Sequence, residues 1–354
     1  MFRKFGMLGL FTMILLSGCS HAPAHAPTDA YNQVIDQPKK PQNRTYSIEP
    51  FSKIAPLQHA YDYRLIDSQT QHSLTATQLA QRLQKYDVIF IGEFHSNHAS
   101  HLLEMQLMAA MHALRPSQIL TMEMFNRDQQ SILNRYLDSE VGEAFLINEA
   151  PTWQNYAASY RPLIEYAKQN FIPVIAANAS ADIVRCIGRQ GARYLGKLLQ
   201  EERPLIARQP FTDQAEYRQR YMDFLEEARR LTAKRKENSY LAQLTRDNTM
   251  AESINQAWSE NPDAQILHLN GSFHSEHHLG TVAALKNLNS AIKIAVITPI
   301  RVDEPTQPSY SVEDLTKGDF IYLLQGQPDQ YVDSAYKRQA RESQFKLAQQ
   351  NRCR

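Results

Sequence analysis

Residues 92–101 read GEFHSNHASH, so Glu93, His95 and His101 fall in a G-E-x-H-x5-H pattern. A carboxylate beside an imidazole can run general acid–base chemistry, the carboxylate raising the basicity of the ring and fixing its tautomer. The same residue types can ligate a divalent metal. Three further places carry such groups: Glu123 in EMF, Asn178 in VIAAN, and His274 in NGSFH with Ser272 beside it. His95, His274, Glu93 and Glu123 are the metal candidates. Arg246 and Asp247 precede Met250-Ala251 on a helical stretch that could fold back over the same groups.

Each group follows a short apolar run. Asp87-Val88-Ile89-Phe90-Ile91 has the composition of a strand buried on both faces and ends on Gly92. Gln118–Met124, Ile172–Ala177 and Ala264–Leu269 are further buried strands, as are Ile292–Ile300 and Phe320–Leu324; Tyr61–Ile66 with the turn 67–71 suggests a small strand or hairpin. Between them lie helical patterns. Thr75–Leu83 is a capped helix, residues 98–114 repeat apolar side chains every three to four positions, and 128–170 is a helical region. Strands alternating with helices imply an α/β fold with a mainly parallel central sheet flanked by helices. Chemistry in such sheets collects at the carboxyl ends of the strands. Residues 193–208 and 213–258 are strongly helical and read as an inserted cap, about 193–258, over those ends.

The helix at 98–114 puts His98 near His101, and Glu104 three residues further along the same face. His98, His112 and His268 read as surface or core. Residues 275–278 (SEHH) read equally as loop or site, and Trp153, Tyr156 and Tyr160 as core packing.

The amino terminus is an address. Arg3 and Lys4 precede the apolar stretch Phe5–Leu16, and Leu16-Ser17-Gly18-Cys19 has the form of a lipobox. Residues 1–18 are the expected signal, Cys19 the lipidated residue, and Ser20 points to the outer membrane. No later segment is apolar enough to span a bilayer. Residues 19–56 hold six of the 17 prolines and read as a tether, His21 and His25 included. The folded domain is expected over 57–354. Loss of Arg3 and Lys4 takes the formal balance from +1 to −1, which argues against a nucleic-acid partner. Cys186 and Cys353 could pair in an oxidising compartment, although they lie far apart in sequence.

In order, GEFHSNHASH, EMF at 123–125, W-x2-Y-x3-YRP at 153–162, VIAAN at 174–178, RDNTMA at 246–251 and GSFH at 271–274 resemble the ChaN family of iron-regulated, haem-binding lipoproteins over roughly residues 60–325. That family resembles a wider superfamily with erythromycin esterases and TraB/Tiki-type proteins, whose G-E-x-x-H or G-x-x-H motif and later Glu and His residues form a hydrolytic site. One residue alone separates Glu93 from His95, a departure from G-E-x-x-H. The resemblance implies haem binding for iron acquisition, with haem held at a homodimer interface through a tyrosine and an outer-membrane uptake receptor as a partner. No family motif marks that tyrosine. Tyr217 and Tyr221 lie four apart on one helix face, with Phe224 and Leu225 for the porphyrin and Arg218 or Arg220 for its propionates; Tyr194 and Tyr240 compete. The other class of function is a surface-anchored hydrolase, metal-assisted or His-based, using Glu93, His95, Glu123 and His274.

Overall fold

Among the described residues, eight strands form one sheet: β1 (Tyr63–Asp67), β2 (Ser73–Leu74), β3 (Val88–Glu93), β4 (Gln118–Asn126), β5 (Val174–Asn178), β6 (Gln265–Gly271), β7 (Ile294–Val302) and β8 (Phe320–Gln325). Their spatial order is β2-β1-β8-β7-β3-β6-β4-β5. The six strands from β8 to β5 run parallel, and the β1–β2 hairpin joins β8 antiparallel. The fold is therefore α/β with a mainly parallel sheet, as expected. The computed structural model describes residues 54–150, 153, 155–227, 231–328, 331–340, 342 and 353. The expected signal, Cys19 and nearly all of the tether lie outside the described residues.

Among the described residues, ten α-helices connect the strands. They are α1 (Ala76–Leu83), α2 (His98–Leu114), α3 (Gln130–Leu137), α4 (Glu143–Glu149), α5 (Tyr156–Ser159), α6 (Arg161–Gln169), α7 (Ala181–Gln190), α8 (Ala215–Glu227), α9 (Ala233–Glu260) and α10 (Thr281–Leu288). Alternation along β3 explains the layers. Ile89 and Ile91 pack with Leu79, Leu83, Leu103 and Leu107 of α1 and α2. Val88 and Phe90 point the other way, onto Ala251 and Ile254 of α9 and Val282 and Leu285 of α10. Both faces are covered, so the strand shows no polar alternation. Truncating a residue such as Ile91 (0% exposed) to Ala would cost about 2–5 kcal/mol. Among the described residues, no helix is long and apolar enough to cross a membrane.

Two local devices aim the site. Thr75 and Gln78 form a capping box on α1. Asn97 caps α2 by accepting from the amides of Ala99 and Ser100, and its Nδ2 donates to the Gln325 carbonyl 3.0 Å away. The helix thus starts three residues after His95, carrying His101 and Glu104 on a buried face behind it. Ser96, between His95 and the cap, takes φ +67°.

Three local expectations change. Residues 192–205 are not α-helical. They form two 3-10 segments, Ala192–Lys197 and Gln200–Leu205. Gly191 at φ +73°, Gly196 and Pro204 interrupt the ladder. The region 128–170 is broken into four short helices. Helices α7 and α10 were not anticipated. Cys186 of α7 and Cys353 form a disulfide, with Cα atoms 5.5 Å apart across a sequence separation of 167.

The edge strand β5 pairs with β4 on one side only. On β5, the Gln130 side chain donates to the Val174 carbonyl at 2.9 Å and accepts from the Ala176 amide at 2.7 Å. A surface groove runs beside this edge, lined by Arg127, Gln130, Phe171 and Glu260 among others, and lies apart from the strand-end chemistry.

Candidate functional site

Glu93 and Gly271 end the neighbouring strands β3 and β6, and Glu123 lies three residues before the end of β4, so all three face one patch. Glu93 is fully buried. Its Oε1 takes a 2.5 Å hydrogen bond from His95 Nδ1 and a 2.6 Å bond from the Tyr160 hydroxyl. His95 is 42% exposed and stands edge-on to Trp153, ring centroids 4.7 Å apart. Its Nε2 lies over Gly271, where any Cβ would approach to 2.8 Å. That close approach requires glycine. The Gly271 amide donates to Glu123 Oε2 at 2.7 Å, which links the two carboxylate clusters.

On the far side of Gly271, His274 is held by acids. Its Nδ1 meets Asp247 Oδ1 at 2.7 Å and its Nε2 lies 3.5 Å from Glu123 Oε1. Asp247 also accepts from the Tyr217 and Thr281 hydroxyls, each at 2.8 Å. Gln243 Nε2 donates to the Tyr217 oxygen at 3.0 Å and lies 3.3 Å from His274 Nδ1. Gly280, at φ +57°, lets the chain turn so tightly that a Cβ would come 2.6 Å from the His274 carbonyl.

The charges follow from these contacts. Burial would depress the His274 ring, but Glu123 and Asp247 outweigh it and hold its pKa up at about 10. Burial opposes ionisation of Glu123 too; the attraction and hydrogen bond of His274, with His95 and the Gly271 amide, instead keep it well below the usual carboxylate range. His95 is raised, burial being overcome by Glu93 and Glu123. Glu104 is pushed well up by burial and by the adjoining Glu93. Glu93 itself is lowered, because the hydrogen bonds of His95 and Glu104 and the two histidine charges overcome burial. A half-exposed imidazole backed by a buried carboxylate can exchange a proton through Nε2. The acids behind it orient the ring.

Of the residues singled out in the sequence, Glu93, His95, Glu123, Asp247 and His274 meet at this patch. His101 lies behind it, its Nδ1 3.5 Å from Glu93 Oε2 and 3.0 Å from Glu104 Oε2. Asn178 is at the β5 end, but its Nδ2 donates to the Glu123 carbonyl and its Oδ1 accepts from the Ala179 amide, so it staples backbone. Arg246 is half-buried, makes no ion pair with any described residue, and its charge acts on Tyr221. His98 is exposed and stacks on Tyr61, and His112 bonds Tyr166. His268 is buried against Thr121, and burial depresses it to about 3. His277 and His278 lie in the loop, each at φ +59°.

The four tyrosines lie on and around α8 and α9. Tyr217 donates to Asp247, Tyr240 to Asp213, and Tyr221 shares its hydroxyl with Ser239 at 2.8 Å. Tyr194 is buried with Ile183, Ile187 and Ile206. Arg218 forks onto Glu237 at 2.7 and 3.1 Å, and Arg220 pairs with Glu276. Tyr221, Phe224 and Phe273 form an aromatic patch, with Phe224 56% exposed and 5.9 Å from Phe273.

Tyr160, Gln243, Thr281 and Gly271 were not singled out by sequence as site residues. Tyr160, in the W-x2-Y-x3-YRP stretch, and Gly271, in GSFH, each carried a signal, but the aromatic spacing around Tyr160 reads as core and a lone glycine beside His274 does not mark its contact with His95.

Fold and site together define an α/β protein with a cluster of acids and imidazoles at the carboxyl ends of adjacent central strands. Residues 79–285 match the model of a family described as haem-binding uptake, Tiki superfamily, ChaN. The chain belongs to this family. Among solved structures it is similar to ChaN of Campylobacter jejuni, described as binding haem cofacially, with 19% identity and a TM-score of 0.56, covering 77% of this chain and 100% of that one. It is also similar to a mutant of the erythromycin esterase EreC in its open conformation, with 13% identity and a TM-score of 0.42 over 68% of this chain and 77% of that one. A Bacillus cereus protein has 10% identity and a TM-score of 0.40, covering 77% of this chain and 95% of that one. No curated protein sequence matches the chain.

Proposed function

We propose that this protein is a membrane-anchored haem-binding lipoprotein of haem and iron acquisition, with haem iron held by tyrosine at a homodimer interface. Membership of the haem-binding family supports the ligand. The lipobox at Leu16–Cys19 and the following Ser20 support a lipid anchor and outer-membrane delivery. In this reading residues 1–18 are removed, 19–56 are tether, and 57–354 form the domain that carries the cap.

The observation that carries the haem surface is the patch of Tyr221, Phe224 and Phe273 beside Arg246. An aromatic patch with one exposed ring, Phe224, suits a porphyrin face, a half-buried guanidinium with no ion partner among the described residues suits a propionate, and a phenolate suits ferric iron. Among the four candidate tyrosines, Tyr221 fits best. Burial raises its pKa, but Ser239 and the Arg246 charge pull it back. Tyr217 and Tyr240 donate to carboxylates, which disfavours their phenolates. Arg218 is engaged by Glu237 and Asp213, so Arg246 takes the propionate role in this reading. A second copy would cover the exposed Phe224, and an outer-membrane receptor is the partner such a protein would serve.

The test is a haemin titration of the full chain in mild detergent, followed by absorbance, with sizing before and after. A saturable high-spin ferric spectrum and a shift to dimer are expected, with Tyr221→Phe removing the tyrosinate band and Arg246→Gln weakening binding. Weak, non-saturating binding would overturn the reading.

A second reading, hydrolysis at the strand ends, is favoured by the half-exposed His95 backed by Glu93 and facing Glu123 and His274. It expects ester turnover that His95→Ala abolishes. The haem reading expects the same substitution to leave the haem spectrum in place.

A further inference from the structure

We infer that Glu93, His101 and Glu104 form a binding site for one divalent first-row transition ion, separate from any haem surface. One donor atom from each residue lies within 4.8 Å of the others. All three side chains are sealed from solvent, at 0%, 6% and 0% exposure. His101 Nδ1 faces both acids, 3.0 Å from Glu104 Oε2 and 3.5 Å from Glu93 Oε2, while Glu93 Oε2 and Glu104 Oε1 receive no hydrogen bond from any N–H or neutral O–H donor, so any bond between the two acids runs through a proton they share. Buried carboxylate oxygens left without a donor are rare, and two in one cluster point to a missing ligand.

Charge points the same way. The only ion-pair partners of Glu93 and Glu104 among the described residues are His95 and His101. Two buried carboxylates with no lysine or arginine beside them call for a compact positive charge. Two carboxylate oxygens and one imidazole nitrogen, with no thiolate, match the N/O preferences of Mn²⁺, Fe²⁺ or Zn²⁺. His101 and Glu104 stand three residues apart on the buried face of α2, whose start is fixed by the Asn97 cap. Glu93 is held through its other oxygen by Tyr160 and His95, leaving Oε2 aimed into the cluster. The site shares only Glu93 with the proton-exchanging patch, and an ion there would lie directly behind His95.

The competing account is one proton shared between Glu93 and Glu104. Full-length, haem-free protein, stripped with a chelator, would be titrated with Mn²⁺ (by its electron paramagnetic resonance signal) and with Zn²⁺ by calorimetry. Binding of one equivalent, weakened at least tenfold by Glu104→Gln and by His101→Gln, and unchanged in a His21→Ala/His25→Ala control, supports the site. A rise in the wild-type melting temperature on adding the metal gives a readout free of any folding defect in the variants. Absence of saturable binding together with an infrared carboxylic-acid band that Glu104→Gln removes would assign the proton instead and overturn the inference. Loss of binding in the His21/His25 control would place the metal on the tether and overturn it equally.

Discussion

His274 makes the stability of this protein sensitive to alkali, and the size of the effect follows from its surroundings. The ring is buried between Asp247 and Glu123, which hold its pKa at about 10 against 6.5 in an unfolded chain. Because the folded value is the higher, the stabilisation is fully present below about pH 6.5 and is lost as pH rises through about 10. At 1.36 kcal/mol per unit, the full contribution is about 5 kcal/mol, of which about 4 remains at pH 7 and about 0.4 at pH 10. Glu123 is held well below the usual carboxylate range, so it keeps its charge across this window while the imidazole loses its own. Urea unfolding at pH 7 and pH 10, run on the wild type and on His274→Gln, isolates the effect. Titrating groups remote from the site are common to both chains and cancel in the difference. The wild type is expected to lose about 3.5 kcal/mol more than the variant between the two pH values. Parallel pH dependences in the two proteins would refute the argument that the acids hold a buried imidazolium.

Two further outcomes follow. Tyr160→Phe removes a 2.6 Å hydrogen bond to a buried carboxylate and should cost about 1.5–3 kcal/mol in urea unfolding, the range for bonds to charged groups; an unchanged midpoint would remove Tyr160 from the site. Cys353→Ser opens a link spanning a sequence separation of 167 and should cost about 2–4 kcal/mol, a loss that reductant reproduces in the wild type. Equal midpoints with and without reductant would contradict this.

The strands were legible because burial on both faces leaves an uninterrupted run of apolar residues, as at Val88–Ile91. Their ends were less so. Glu93, Asn126 and Gly271 are polar or small, yet their backbone still belongs to a strand. The acid–imidazole cluster was legible in kind, since each member follows such a run. Its wiring was not, because Gly271 between His95 and Glu123, and Tyr217 on Asp247, are products of strand order and helix docking. Tyr160 read as core because aromatic spacing reports where the ring lies, not what the hydroxyl meets. Arg218 read as a candidate for the propionates because its partner Glu237 lies on another helix. The stretch 193–208 read as helical, while Gly191 before it, Gly196 and Pro204 decide for tighter turns.

Gln130 has a consequence for how many copies of such a protein can share one surface. A parallel sheet ending on a bare strand offers its outer row of amides and carbonyls as a template, and neighbours crowded by a common anchor would meet that template repeatedly. The carboxamide of Gln130 imitates one peptide unit of a ninth strand, answering the Val174 carbonyl and the Ala176 amide together. One side chain thus fills one rung of the β5 edge without adding a strand, so a neighbouring copy arriving there would meet a carboxamide and not a bare peptide unit.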